Sequence, residues 1–232
     1  MIELFPTGFE EIDYAGGEVE LAAYTDAGGE ERLWHAFGGT RSATDVKEGW
    51  EERWRAFHQP VHAGGLWIGP PWETPPPGEL TVVIDPGRAF GTGGHATTRL
   101  CIELLAAMRP GSLVDVGCGS GVLSIAAARL GFGPILGLDN EEPAVEATLE
   151  NARVNGVEVE ARLGDALGTP LPEADVVVAN ITLPAVNTLA PYLRSDRIVT
   201  SGYLESEHPE LPGFRHLDRR TAEGWAADLH ER

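Results

Sequence analysis

Leu113-Val-Asp115-Val-Gly117-Cys-Gly119-Ser-Gly121-Val-Leu-Ser-Ile-Ala126 decides how this chain is read. An apolar run ends in a glycine-rich turn, and an alanine-rich helical pattern follows at once. That is how a buried parallel strand feeds a helix. The glycines let the backbone turn sharply and let a ligand approach main-chain N–H groups with no Cβ in the way. A second strand, Ile135-Leu-Gly-Leu-Asp139, ends in a carboxylate 22 positions after Gly117. An acid there can accept hydrogen bonds from both hydroxyls of a ribose, as in nucleotide-binding βαβ units.

Two ligand readings compete. A dinucleotide fingerprint runs G-x-G-x-x-G, but the third glycine here is Gly121 and position 122 is valine. The spacing is Asp-x-Gly-x-Gly-x-Gly, the pattern of S-adenosylmethionine (AdoMet) methyltransferases. Asp115 enters the loop from the strand, which suits a ligand carrying an ammonium group better than one carrying a pyrophosphate. A glycine turn with no ligand explains Asp139 less well. The stretch therefore predicts a nucleoside-cofactor site on Asp115, Gly117, Gly119 and Asp139.

Working outward, 232 residues suffice for one large α/β domain and a small appendage. No apolar run approaches the ~20 residues that cross a bilayer, and the N-terminus has no signal-peptide pattern. Cys101 and Cys118 have neither metal-ligand spacing nor a disulfide framework, so the cytoplasm is the expected location and no metal is expected. Cys118 fills a small-residue slot rather than acting as a nucleophile, since no partner base is evident nearby. The formal charge is −19, and Lys47 is the only lysine. Such a surface repels phosphate backbones, so direct nucleic-acid binding is not expected, and it attracts a basic partner.

Residues 1–46 read as a small unit of two or three strands. Gly17-Glu-Val-Glu-Leu-Ala-Ala-Tyr-Thr25 alternates like a half-buried strand, and Gly28-Gly29 turns into Glu31-Arg-Leu-Trp-His-Ala-Phe37. Residues 47–78 read as a linker helix and a Pro/Gly-rich connector, with Trp50, Trp54 and Phe57 on one helical face and short strand-like pieces from Val61 to Trp72. Residues 79–232 form the main domain. Its first strand, Glu79-Leu-Thr-Val-Val-Ile84, runs into Asp85-Pro-Gly-Arg-Ala-Phe90-Gly-Thr-Gly-Gly-His95-Ala-Thr-Thr98, a second glycine loop. It opens a helix from Arg99 to about Met108, with Thr97 and Thr98 as capping candidates. So many glycines beside an aromatic, a histidine and two threonines are costly unless the loop wraps something.

A helix from Glu141 to Asn155 and a strand from Glu158 to Leu163 follow. Asp165 then sits where an acid could meet an adenine amino group. Asp175-Val-Val-Val-Ala-Asn180 reads as a strand buried on both faces. Asn180 lies at its C-terminal end, where open α/β sheets put their ligands; it can accept from an amine or the cofactor, or cap the helix near Leu183. Arg197–Gly202 reads as another strand, and Phe214–Leu217 with Trp225–Leu229 as a closing hairpin.

These residues resemble the ribosomal protein L11 methyltransferases. The strings that carry the likeness are Asp85-Pro-Gly-Arg-Ala-Phe-Gly-Thr-Gly-Gly-His-Ala-Thr-Thr98, Asp115-Val-Gly-Cys-Gly-Ser-Gly-Val-Leu123, Asp139 and Val178-Ala-Asn-Ile181. Gly49-Trp-Glu-Glu-Arg-Trp-Arg55, leading to Trp67 and Trp72, is similar to the family's linker. The resemblance is good from about residue 48 to 205. It implies a class I, Rossmann-like seven-stranded methyltransferase sheet with helices on both faces, plus a small N-terminal α+β appendage that grips substrate. Against the family pattern the chain begins partway through that small domain, and its C-terminal region is short. The resemblance assigns Thr98, Gly117, Asp139 and Asn180 to AdoMet; Phe90, Gly91, Asp115, Gly119 and Asp165 are further candidates for cofactor binding from their places in the chain. It implies a basic protein substrate, ribosomal protein L11, methylated on lysines and the N-terminal amine.

The expected chemistry is in-line methyl transfer to a neutral amine, with proximity and orientation as the main contribution of the protein. Asn180 orients the amine; His95 and Phe90 shape the pocket, and His95 is a candidate base. The alternatives are methylation of another protein or a small amine, a nicotinamide-dependent oxidoreductase, and a module that binds AdoMet without turnover.

Overall fold

A computed structural model describes residues 10–14, 18–22, 58–85 and 91–232. The chain forms two units, Met1–Trp54 and Arg55–Arg232. The first contains strands β1 (Glu10–Tyr14) and β2 (Glu18–Ala22), paired antiparallel with Glu10 opposite Ala22. The expected Gly28-Gly29 turn, the strand from Glu31 and the Trp50-Trp54-Phe57 face lie outside the described residues.

The second unit opens with a three-stranded sheet: β3 (Val61–Ala63) and β4 (Leu66–Gly69), joined by a Gly64-Gly65 turn, then β5 (Leu80–Val83) parallel to β4. Ala63, Leu66, Ile68 and Val82 are buried in the main core, so the stretch expected to be a connector contributes to it. Next come α1 (Ala96–Ala106), β6 (Leu113–Val116), α2 (Val122–Arg129), β7 (Ile135–Asp139), α3 (Glu142–Asn155), β8 (Glu160–Leu163) and β9 (Ala174–Asn180). The chain finishes with α4 (Leu183–Leu189), β10 (Ser195–Leu204), β11 (Arg215–Ala222) and β12 (Trp225–Glu231).

These strands form a seven-stranded sheet in the order β11-β12-β10-β9-β6-β7-β8. All neighbours are parallel except β12, which runs antiparallel between β10 and β11. The alternation of β9 explains why its middle, Val176–Ala179, is apolar at every position. Val176 and Val178 join a core with α1, α2 and α3, while Val177 and Ala179 join a core with α4 on the other face. Helices therefore cover both faces, as expected. The last strands are longer than the sequence indicated, because β10 continues through a bulge between Ser201 and Tyr203.

Two helix starts also differ from expectation. α1 begins at Ala96 rather than Arg99, and its N-cap is His95, whose Nδ1 accepts from the Thr97 N–H. Thr97 and Thr98 do not cap; both are buried within the first turn. Asn180 does not cap α4 either, since the N-cap position is Thr182. No helix among the described residues is long and apolar enough to cross a membrane.

Candidate active site at the switch point

β6 is flanked by β7 on one side and β9 on the other, so the strand order reverses between β6 and β9. Open α/β sheets bind ligands in the crevice beyond the strand ends at such a point. The loop after β6 occupies it. Gly117, Gly119 and Gly121 have φ of 73°, 54° and 80°, a left-handed run that other residues adopt at a cost. A Cβ on Gly117 would lie 2.7 Å from Ile181 Cγ2, and one on Gly121 would lie 2.9 Å from Thr148 Cγ2.

Side chains from three directions hold this loop. The Gly119 N–H donates to Asp139 Oδ2 at 2.9 Å, and the Glu141 N–H donates to Oδ1 at 3.1 Å. Asn151 Nδ2 donates to the Ser120 carbonyl at 2.8 Å. The Ser120 hydroxyl donates to the Gly91 carbonyl, which ties the loop to the glycine run ahead of α1. Asp165, after β8, is exposed and accepts from the Leu167 N–H at 2.8 Å. Phe90 lies outside the described residues.

Asp115 is buried beneath the loop, 1% exposed. The Ser124 N–H and hydroxyl donate to its Oδ2 at 3.1 and 2.7 Å, and its Oδ1 is buried without a hydrogen-bond partner among the described residues. Burial pushes its carboxyl up to about 6, against the opposing pull of the Ser124 hydrogen bonds. Burial likewise pushes the Cys118 thiol up to about 12, which makes it a packing group rather than a nucleophile.

The other wall joins α1 to β9. Asn180 Nδ2 donates to Thr97 Oγ1 at 3.2 Å and to Thr98 Oγ1 at 3.4 Å, leaving its amide oxygen without a partner among the described residues. Thr97 Oγ1 lies 2.8 Å from His95 Nδ1, and the same Nδ1 caps α1. That nitrogen therefore accepts, the ring proton sits on Nε2, and His95 braces the loop with the lone pair a base would need already engaged. The His95 ring meets Trp225 edge-on at 4.8 Å, so the β11–β12 hairpin reaches the site.

The structure thus gathers His95, Thr98, Gly117, Gly119, Asp139 and Asn180 at the C-terminal edge of the sheet, with Asp115 below it. Sequence reading missed Ser120, Ser124, Thr148, Asn151 and Trp225, which act by tertiary contact. The one available signal was Glu223-Gly224, a two-residue turn between alternating strands. A larger cavity, about 580 Å3, lies at the opposite ends of the strands beside Ser112, Asp175, Arg194 and Ser195. Size does not locate the chemistry here.

A profile described as ribosomal protein L11 methyltransferase (PrmA) matches residues 27–227. A ribosomal protein L11 methyltransferase from Caldanaerobacter subterraneus subsp. tengcongensis is 35% identical across 92% of this chain and 80% of its own. The Symbiobacterium thermophilum protein of that name is 43% identical over 79% of this chain and 66% of its own. For the one from Neisseria meningitidis serogroup C the values are 44%, 69% and 58%. The chain therefore spans four fifths of one relative's length and about two thirds or less of the other two. A crystal structure of ribosomal protein L11 methylase from Lactobacillus delbrueckii subsp. bulgaricus superposes with a TM-score of 0.64 at 28% identity, covering 75% of this chain and 99% of that one. The match of profile, relatives and fold across one continuous stretch has a single reading: this chain belongs to the ribosomal protein L11 methyltransferase family.

Proposed function

We propose that the protein transfers methyl groups from AdoMet to amino groups of ribosomal protein L11, on lysine ε-amines, the N-terminal α-amine, or both. The observation that carries this is the fixed amide of Asn180. Two buried threonine hydroxyls take its NH2 group and leave its oxygen to accept from an amine N–H. A formal charge of −19 suits a cationic protein partner.

The residues around the glycine loop fit AdoMet. Gly117 forms a cradle that a Cβ would fill against Ile181, and Asp139 ends β7 where a ribose would be held. Asp115 Oδ1, buried and without a hydrogen-bond partner among the described residues, supplies negative potential below the loop. In this reading Asp139 accepts from the ribose hydroxyls, Gly117 and Gly119 admit the nucleoside against main chain, Gly91 and Thr98 close the side toward α1, and Asp165 meets the adenine edge. When bound, AdoMet supplies an electrophilic methyl on a sulfonium.

The protein's own work is to bind, orient and exclude water. Asn180 holds the amine so that its lone pair faces the methyl. Removal from water favours the uncharged amine, the form able to attack. His95 keeps Thr97 and the loop in register. Orientation of this kind supplies several kcal/mol of barrier lowering without covalent chemistry.

The test is intact-mass spectrometry of purified L11 after incubation with the protein and AdoMet. Mass gains in methyl-sized steps are expected. AdoMet binding with no gain on L11 would overturn the substrate and leave another protein, a small amine or a non-catalytic module as the occupant of the site.

A further inference from the structure

A second cavity, about 410 Å3, opens beside the first turn of α1, bounded by His58, Gly69, Thr92, His95, Ala96 and Glu223. Glu223 is the residue to explain. Its φ is 54°, the one positive value among the described non-glycine residues, and Gly224 follows at 81°. Together they form the two-residue turn between β11 and β12, where Ala222 pairs with Trp225. Turns with two positive φ values favour Asn-Gly or Gly-Gly, and a glutamate in the first position is strained. Such strain persists only where the surroundings fix it.

Here the surroundings do so on both sides. Arg99 Nη2, from the first turn of α1, donates to Glu223 Oε1 at 2.6 Å. The next residue but one, Trp225, meets the His95 ring. The Glu205 N–H donates to the Gly224 carbonyl at 2.9 Å. The turn thus delivers a carboxylate to the cavity's rim beside the histidine that braces Asn180, and its Oε2 accepts no hydrogen bond among the described residues. A glycine would make the same turn with less strain, so the feature that needs explaining is the carboxylate.

We propose that this cavity admits the amine-bearing chain of the methyl acceptor, and that Glu223 is a specificity-determining residue that takes the incoming ammonium at the rim before the amine reaches Asn180. This rests on the reading of the protein as an amine methyltransferase. The ligand class is a lysine-type chain: an apolar stem that passes Val61 and Ile84, which line the cavity, and a cationic head. Glu223 acts on capture, so its loss raises KM for the acceptor and spares kcat.

The test uses two probes. A capped peptide with one lysine is titrated into the protein, with the Trp225 indole N–H signal as the NMR reporter. Wild type is expected to respond to the lysine peptide and not to its norleucine analogue. Glu223→Gln, which keeps an acceptor for Arg99, is expected to weaken binding about threefold to tenfold, as loss of one ionic contact does. Glu223→Gly is expected to raise Tm while weakening binding to the same extent, which a structural role alone would not give. Equal peptide binding by wild type and Glu223→Gln, or equal response to norleucine, would overturn the proposal. Methylation of L11 is followed in parallel. Transfer whose KM ignores Glu223→Gln overturns this inference alone, whereas lysine-peptide binding that depends on Glu223 with no transfer to L11 overturns L11 as the acceptor and leaves the capture site standing.

Discussion

Asn180 and Thr97 stand 83 positions apart in the chain, and the amide of one donates to the hydroxyl of the other at 3.2 Å. The contact joins the end of β9 to the first turn of α1 and decides which face of the Asn180 amide is left open. Replacing Thr97 with Val keeps the shape and removes the acceptor. It is expected to lower kcat about 10- to 100-fold, the effect of losing one orienting hydrogen bond, with AdoMet affinity changed less than about threefold. Steady-state kinetics alongside calorimetry checks both numbers, and an unchanged kcat would remove Asn180 from its orienting role.

Asp139 is expected to contribute about 1–3 kcal/mol to AdoMet binding through charge-assisted hydrogen bonds, so Asp139→Ala should raise Kd roughly 5- to 150-fold. Asp139→Asn, which can still accept from the Gly119 N–H, separates loss of loop order from loss of charge. Calorimetry with AdoMet reads the difference. Equal affinity across all three proteins would sink the assignment.

Gly202 lies in the β10 bulge with φ 103°, and a Cβ there would sit 2.1 Å from the Ile181 carbonyl oxygen. The Ile181 N–H also donates to the Ser201 carbonyl at 3.1 Å, which fixes the chain just after Asn180. Gly202→Ala is expected to cost about 2–4 kcal/mol of stability, since backbone must move against backbone. Urea unfolding at constant slope measures it.

The buried Asp115 gives a pH prediction whose sign is the reverse of a salt-bridged acid. Its folded value of about 6 stands above the ordinary 3.8, so between the two the native state binds more protons than the unfolded chain. Its contribution to stability therefore falls as pH rises through that window, and the full cost is present above it. Relative to Asp115→Asn, the wild type should gain about 1–3 kcal/mol on acidification from about pH 7.5 to about pH 4.5. Denaturant unfolding of both proteins at the two pH values decides the matter; a difference independent of pH would show that the carboxyl is not held out of water.

Much of the sheet was legible because parallel strands buried on both faces read as near-continuous apolar runs: Leu113–Val116, broken by Asp115 alone, and Val176–Ala179 within Asp175–Asn180 could be little else. The glycine loops were legible because backbone constraints are local. Local sequence alone puts the start of α1 three residues late, because threonine is a strong N-cap candidate in isolation. The hydroxyls of Thr97 and Thr98 are instead engaged by Asn180 at the end of β9, and a histidine takes the cap. For the same reason Ser120, Ser124 and Trp225 carried no signal: each matters through contacts with residues outside its own local segment. The strained Glu223 turn sat in plain view as Glu-Gly between strands, but its link to Arg99, 124 positions away, belongs to tertiary structure alone.

Ser120 donates its hydroxyl to the Gly91 carbonyl and accepts from Asn151 Nδ2 at its own carbonyl, so three segments share one residue's backbone position. None of them can open without breaking a bond that holds another. The loop after β6, the residues ahead of α1 and the middle of α3 therefore open as one cooperative unit, and free energy applied to one is felt by all. A ligand that slows amide exchange at Gly117 and Gly119 slows it as well across Gly91–His95 and, with no contact of its own there, around Asn151.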